Sequence, residues 1–173
     1  MQKPADLSEL SFAELVARVR ACTLCAEFLP LGPRPVIQLS ESSRILVVGQ
    51  APGRRVHETG LPFNDPSGDR LREWMGVTRD TFYDEQKLAI LPMGFCYPGV
   101  VGRNVQKVTG NGGGAGDGSA ATNGDIKKSA GDAPPRPECA PLWHEQLTAR
   151  LPNIQLTLLI GQYAQARYLG KQR

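Results

Sequence analysis

Three continuous apolar runs, separated by helical patterns, constrain the fold of this chain more than any other feature. The runs are RILVVG, KLAILPMGF and IQLTLLIG, at residues 44–49, 87–95 and 154–161. Apolar runs without alternation are typical of strands that are buried on both faces, as in a parallel sheet. Strands that alternate with helices are joined by right-handed crossovers. The pattern therefore predicts a three-layer αβα fold around a parallel sheet, in which all three strands are buried.

The first helix has the clearest start signal. Ser11 and Glu14 have the spacing of a capping box, in which each side chain accepts a hydrogen bond from the other residue's backbone N–H. Apolar residues follow at helical spacing, so this helix is expected to end close to Cys22. Further helices are expected over residues 68–77, over residues 137–151 and after the third strand.

A glycine-rich segment interrupts this order after the second strand. Residues 102–132 are mostly Gly, Ala, Ser, Asn and Asp, with almost no large apolar side chain. Such a segment cannot bury enough apolar surface to offset the entropy lost on ordering. We therefore expect a single domain over residues 1–173 with a disordered insertion at 102–132. An inert insertion is favoured over a basic loop that contacts nucleic acid.

Net charge and hydropathy bear on which partners the protein can have and on where in the cell it is expected. The net charge of +3 and the pI of about 8.8 are compatible with a polyanionic partner but do not identify one. No apolar run approaches the roughly 18 residues of a membrane span. The N-terminal segment also lacks the apolar core of a signal peptide. We expect an intracellular monomer without a membrane partner, cytoplasmic in general and nuclear or organellar in a eukaryote.

The loop after the first strand, GQAPG at residues 49–53, carries the most unusual chemistry. Open parallel sheets bind ligands beyond the carboxyl ends of their strands, where this loop lies. Its glycines allow close approach of the backbone, whose free N–H groups can hold a carbonyl oxygen or a phosphate. Phe63, in a polar segment, either fills the local core or stacks on a planar ligand. Arg54 and Arg55 either contact phosphates or face water.

The chain has four cysteines, at positions 22, 25, 96 and 139. In an intracellular protein, a Cys-x-x-Cys pair more often indicates metal or redox chemistry than a disulfide. The cysteines therefore indicate a metal or redox function, and unrelated buried thiols are the alternative.

Five segments follow one another in the order seen in the uracil-DNA glycosylase superfamily: ILVVGQAPG, TGLPFNDPSGDRLREW, ILPMGFCYPG, PPRPECAPLWHEQL and LTLLIGQYAQ. The chain most resembles the iron–sulfur branches, families 4 and 5, over about residues 20–170 apart from the insertion. That family has a four-stranded parallel sheet, flips uracil out of DNA and hydrolyses its N-glycosidic bond. The resemblance implies a DNA-repair hydrolase whose partner is DNA containing uracil.

The resemblance also implies roles for individual residues. The base and the attacking water would be held by Gly49, Gln50, Ala51, Pro52 and Gly53. Phe63, beside Asn64, would stack on the base, and Arg54 and Arg55 would contact the DNA.

The same resemblance implies that Cys22, Cys25, Cys96 and Cys139 ligate a structural [4Fe–4S] cluster. Forty-two residues separate the last two cysteines, far more than in the family, and the insertion accounts for the excess. A zinc site made of the same four thiolates is the alternative.

Two positions depart from the family 4 pattern. Gln50 stands where that branch has an acidic residue, and a neutral amide cannot act as a general base. Asp65 and His57 are the nearest catalytic candidates, although each is otherwise a solvated loop residue. Pro92 replaces the asparagine that reads the uracil edge, which favours family 5 or a related branch.

The largest departure is at the C-terminus. The family has a fourth strand and a histidine-containing loop after it, and the sequence stops before both. His144 lies elsewhere and is expected on the surface. We therefore expect a C-terminally truncated member. Its alternatives are an inactive member that binds DNA or a base, and an unrelated four-cysteine metal-binding module.

Overall fold

The computed structural model describes residues 7–101 and 131–170. The elements in chain order are α1 (Phe12–Arg20), β1 (Ile45–Val48), α2 (Arg54–Thr59), α3 (Pro66–Met75), α4 (Arg79–Phe82), β2 (Leu88–Ile90), α5 (Cys139–Thr148), β3 (Leu156–Leu159) and α6 (Gln162–Leu169), with short 3-10 turns at Leu7–Glu9 and Ala26–Phe28. No helix in these described ranges has the length and apolarity needed to cross a bilayer.

The three strands form one parallel sheet in the order β2-β1-β3. Ile45 of β1 is paired with Leu88 of β2 on one side and with Leu156 of β3 on the other. The structure therefore confirms the α/β fold with a three-stranded parallel sheet.

Helices cover both faces of the sheet. Leu46 and Val48 of β1 belong to the core that includes α1 and α5. Val47, between them, belongs to a second core that includes Leu71 of α3 and Phe82 of α4. Successive side chains of a strand point to opposite faces, so one short apolar strand supplies both cores.

The start of α1 is the capping box that the sequence predicts. The Ser11 hydroxyl oxygen accepts from the Glu14 N–H at 3.3 Å, and a Glu14 carboxylate oxygen accepts from the Ser11 N–H at 2.8 Å. The helix ends at Arg20, close to Cys22 as expected.

Two strand predictions are corrected. β3 is an edge strand rather than a buried one: Leu156 is 50% exposed, because on the described part of the chain β3 pairs with β1 alone. β2 ends at Ile90, although the apolar run continues to residue 95. Leu91, Met93 and Phe95 stay buried, since this stretch runs as a loop beneath the helices of the first core.

The prediction that His144 lies on the surface is wrong. Its side chain is 2% exposed, stacked on the Phe95 ring with 5.6 Å between centroids. Its Nε2 lies 2.8 Å from the Pro92 carbonyl oxygen, and its Nδ1 lies 3.0 Å from the Tyr168 hydroxyl. A histidine can be buried in this way because both ring nitrogens have partners. Burial lowers the pKa of His144.

The glycine-rich segment is described only at its end. Residues 102–130 of the predicted disordered insertion lie outside the described residues. Gly131 and Asp132 pair with the chain before the segment: the Gly131 carbonyl accepts from the Val101 N–H at 2.9 Å, and Asp132 forms a bridge with Val100.

Candidate active site and cysteine pocket

A cleft of about 400 Å³ opens beyond the carboxyl ends of the strands. All five residues of the loop at 49–53 line it, together with Pro92 after β2 and Ile160 and Gly161 after β3. This is the edge at which parallel sheets bind ligands, and the volume is ordinary for a small-molecule site.

The loop after β1 is held from two sides. The Gly49 and Gln50 carbonyls accept from the N–H groups of Met93 and Gly94, at 2.8 and 3.0 Å. The Gln50 side chain donates from Nε2 to the Ala133 carbonyl at 3.3 Å. These bonds fix the loop against two other segments, one that follows β2 and one that follows the glycine-rich segment.

The position of Phe63 is compatible with both roles considered for it, which are filling the local core and stacking on a planar ligand. Its ring lines the cleft and lies against Gly49, where an added Cβ would be 3.0 Å from the ring's Cζ. The same ring meets Phe82 edge-on, with 6.1 Å between centroids, and packs on the second core. One face of the site is therefore an aromatic ring supported from behind by the core.

Two residues for which no role was predicted, Arg72 of α3 and Tyr83 after α4, hold the Phe63 segment in place. Arg72 is buried, and it donates to the Phe63 carbonyl at 3.1 Å and to the Tyr83 hydroxyl at 3.2 Å. The Tyr83 hydroxyl in turn donates to the Pro62 carbonyl at 2.9 Å. An arginine next to Leu71 on the apolar face of a helix was the available signal, because buried arginines are rare unless they are paired.

Asp65 lies in the cleft but also begins α3. One carboxylate oxygen accepts from the Gly68 N–H at 2.8 Å and from the Ser67 hydroxyl at 2.6 Å, as in an N-cap. The other oxygen faces Gly53, 3.9 Å from the position that a Cβ there would take. Asp132, which the sequence placed in the insertion, also lines the cleft.

The structure does not bring the other predicted residues into the cleft lining. His57 lies on α2 beside Tyr97, with its Nδ1 buried and without a partner among the described residues. Burial lowers the pKa of His57. Asn64 accepts from Arg79 at 2.8 Å.

Arg54 and Arg55 are exposed in the first turn of α2, directly after Gly53 of the cleft. Arg54 pairs with Glu58 at 3.0 Å, one helical turn along. Both side chains are exposed to solvent.

The four cysteines line a second pocket. Cys22 follows α1, Cys96 follows β2 and Cys139 begins α5, so the fold brings distant parts of the chain together. All four thiols are free. Burial, with a further contribution from the neighbouring cysteines, raises the pKa of Cys96 to about 11 and of Cys139 to about 12.

The lining of this cysteine pocket is mostly apolar, and a few polar groups lie beside the thiols. Arg136, which lines it, forms an ion pair with Glu138, and the Cys25 sulfur lies 3.8 Å from a Glu138 oxygen. Trp143 also lines the pocket, and its indole Nε1 is buried without a partner in the described structure. Within the described residues, no three His, Cys, Asp or Glu side chains are grouped closely enough to hold one metal ion.

One family model matches the chain, over residues 37–173, and it is described as the uracil DNA glycosylase superfamily. The matched span contains all of the cleft lining except Val36, and it includes Phe63, Cys96 and Cys139. Cys22 and Cys25 precede it.

Proposed function

The chain belongs to the uracil DNA glycosylase superfamily, and from that premise we propose that it hydrolyses the N-glycosidic bond of uracil in DNA. The observation that carries this proposal is the position of Phe63, whose ring lies against the glycine loop on the wall of a cleft of about 400 Å³. A planar ring beside the backbone of a glycine-containing loop suits a flat base with polar edges.

In this proposal the extruded uracil lies on the Phe63 ring. Stacking of a base on an aromatic side chain contributes about 1–3 kcal/mol, which offsets much of the few kcal/mol that extrusion costs. The loop at 49–53 meets the edge of the base, and Gln50 can offer its amide oxygen, since its nitrogen already donates to Ala133. Arg54 and Arg55, exposed beside the loop, would contact DNA phosphates.

We further propose that Cys22, Cys25, Cys96 and Cys139 hold a [4Fe–4S] cluster, which places the chain in the iron–sulfur branches. Four free thiols around one pocket suit such a cluster. The buried Trp143 N–H on the same pocket suits a sulfur acceptor. A zinc site made of the same four thiolates is the alternative. When bound, the group would cross-link the ends of α1 and β2 to α5.

The test is uracil excision from a labelled single-stranded oligonucleotide, scored as alkali-sensitive breaks, with a thymine oligonucleotide as the blank. Phe63→Leu keeps apolar volume against Phe82 and removes the flat face, so breaks should fall at least about tenfold. Phe12→Leu makes the same change on α1, outside the cleft, and should retain activity.

A wild-type protein with a full complement of iron that makes no breaks would contradict the proposal. Gln50, which cannot act as a base, makes a non-catalytic DNA- or base-binding member the second candidate. Retained affinity for uracil-containing DNA without excision would support that candidate.

A further inference from the structure

Two carboxylates face the same point of the cleft. One oxygen of Asp65 and one of Asp132 each lie 3.9 Å from the position that a Cβ on Gly53 would take, and both residues line the cleft. They approach from different parts of the chain, since Asp65 precedes α3 and Asp132 is the last residue of the glycine-rich segment.

The two carboxylates differ in how they are engaged. Asp65 accepts from the Gly68 N–H and the Ser67 hydroxyl, so its carboxylate caps the N-terminus of α3. In the part of the chain that the structure describes, no hydrogen bond or ion pair engages the Asp132 carboxylate. Its backbone, however, is fixed by the bridge to Val100. The backbone of Asp132 is therefore fixed, and its carboxylate has no partner among the described residues.

The neighbouring residue ties this carboxylate to the loop that would meet the base. The Ala133 carbonyl accepts from Gln50 Nε2 at 3.3 Å, and the Ala133 N–H donates to the Gly99 carbonyl at 2.9 Å. Asp132 is thereby attached to the same wall of the cleft as Gln50. Gln50 is neutral, and a side-chain amide is too weak a base to take a proton from water.

We propose that Asp132 is the catalytic carboxylate that activates water in the cleft, an inference that rests on the proposed uracil excision. The water oxygen forms a bond to C1′ of the deoxyribose while the C1′–N1 bond breaks, and that bond's electron pair leaves with the uracil. The water proton passes to the Asp132 carboxylate. The uracil anion takes up a proton from solvent, and Asp132 returns its own proton to solvent. The products are free uracil and an abasic sugar with a hydroxyl at C1′.

The experiment measures single-turnover excision and DNA affinity separately, on the full chain as purified. Asp132→Asn keeps the shape and removes the proton acceptor, so the rate constant at saturating enzyme should fall about 100-fold or more while the Kd for uracil-containing DNA stays within about twofold. Asp80→Asn, an exposed carboxylate on α4, is the matched control and should keep the wild-type rate. With Asp132→Ala, added formate should restore part of the rate, which a merely structural role would not allow.

The outcomes distinguish a failure of the role given to Asp132 from a failure of the proposed uracil excision. An active wild type with an equally active Asp132→Asn variant overturns the role of Asp132 and leaves the glycosylase intact. A variant that loses DNA affinity as much as rate, without rescue by formate, overturns the role as well. An inactive wild type instead contradicts the proposed function.

Discussion

Gly68, in the first turn of α3, packs so tightly against the backbone carbonyl of Phe63 that a Cβ on residue 68 would overlap that oxygen. Phe63 itself has a φ of 53°, a left-handed conformation that is uncommon outside glycine. The ring on the cleft wall is therefore positioned by a strained backbone pressed against a helix, and its placement depends on a residue without a side chain.

The first prediction concerns this contact. Gly68→Ala should lower the free energy of unfolding by about 1–3 kcal/mol or more, because the carbonyl of Phe63 must move to admit the methyl group. Uracil excision should fall with it, since the ring moves too. Urea unfolding and single-turnover kinetics measure the two effects. Gly131→Ala is the control, because its Cβ would meet nothing within 4 Å. Full activity and stability of Gly68→Ala would show that the Phe63 segment adjusts freely.

The second prediction concerns Arg72, which donates a hydrogen bond to the same carbonyl. Arg72→Met should cost about 1–3 kcal/mol of stability, because the Phe63 carbonyl is left without its buried donor. Arg72→Lys should recover only part of this, since an ammonium cannot reproduce the guanidinium fork that also reaches Tyr83. Arg70→Met changes an exposed residue of the same helix and should be nearly neutral. Equal urea midpoints for Arg72→Met and Arg70→Met would contradict the role given to Arg72.

The fold was predictable because its signals are local. A continuous apolar run identified β1, and the Ser11–Glu14 spacing identified the start of α1. The position of the loop after β1 in the cleft was predictable, because parallel sheets bind ligands beyond the carboxyl ends of their strands. Phe63 was recognisable as an aromatic side chain in an otherwise polar segment.

What the sequence did not reveal depends on contacts between distant residues. Asp132 was indistinguishable by composition from the rest of the glycine-rich segment, and its place on the cleft comes from pairing with Val100. His144 looked like a surface residue because its partners, the Pro92 carbonyl and Tyr168, lie 52 and 24 positions away. β3 looked buried because its run is apolar, and only the strand order shows it at an edge.

The third prediction concerns the pH dependence of stability. Burial lowers the pKa of His144 below its ordinary 6.5, and nearby Arg167 adds to the effect. As the pH falls through about 6.5, the unfolded chain takes up the proton before the folded one, so stability present above this pH is lost. The free energy of unfolding should therefore decrease between pH 7.5 and 5.5.

Urea unfolding across that range checks the assignment. His144→Gln cannot titrate and should flatten the pH dependence, whereas His57→Gln should flatten it less, because His57 is only half-buried. A wild-type slope in the His144→Gln variant would mean that the proton uptake comes from another group.

The fourth prediction concerns the cysteine pocket and Trp143. The indole N–H of Trp143 is buried on this pocket without a partner among the described residues, one helical turn from Cys139 on α5. If the pocket holds a cluster, this N–H should donate to one of its sulfurs and stabilise the reduced form. A hydrogen bond of about 1 kcal/mol corresponds to roughly 40 mV for a one-electron couple. Trp143→Phe should therefore keep the iron content and shift the potential to more negative values by about that amount in a spectroscopic redox titration.

Trp74→Phe is the matched control, since Trp74 is 77% exposed on α3 and should leave the potential unchanged. An identical potential in wild type and Trp143→Phe would show that the indole does not donate to the cluster, whereas a protein that binds zinc and no iron would refute the cluster itself.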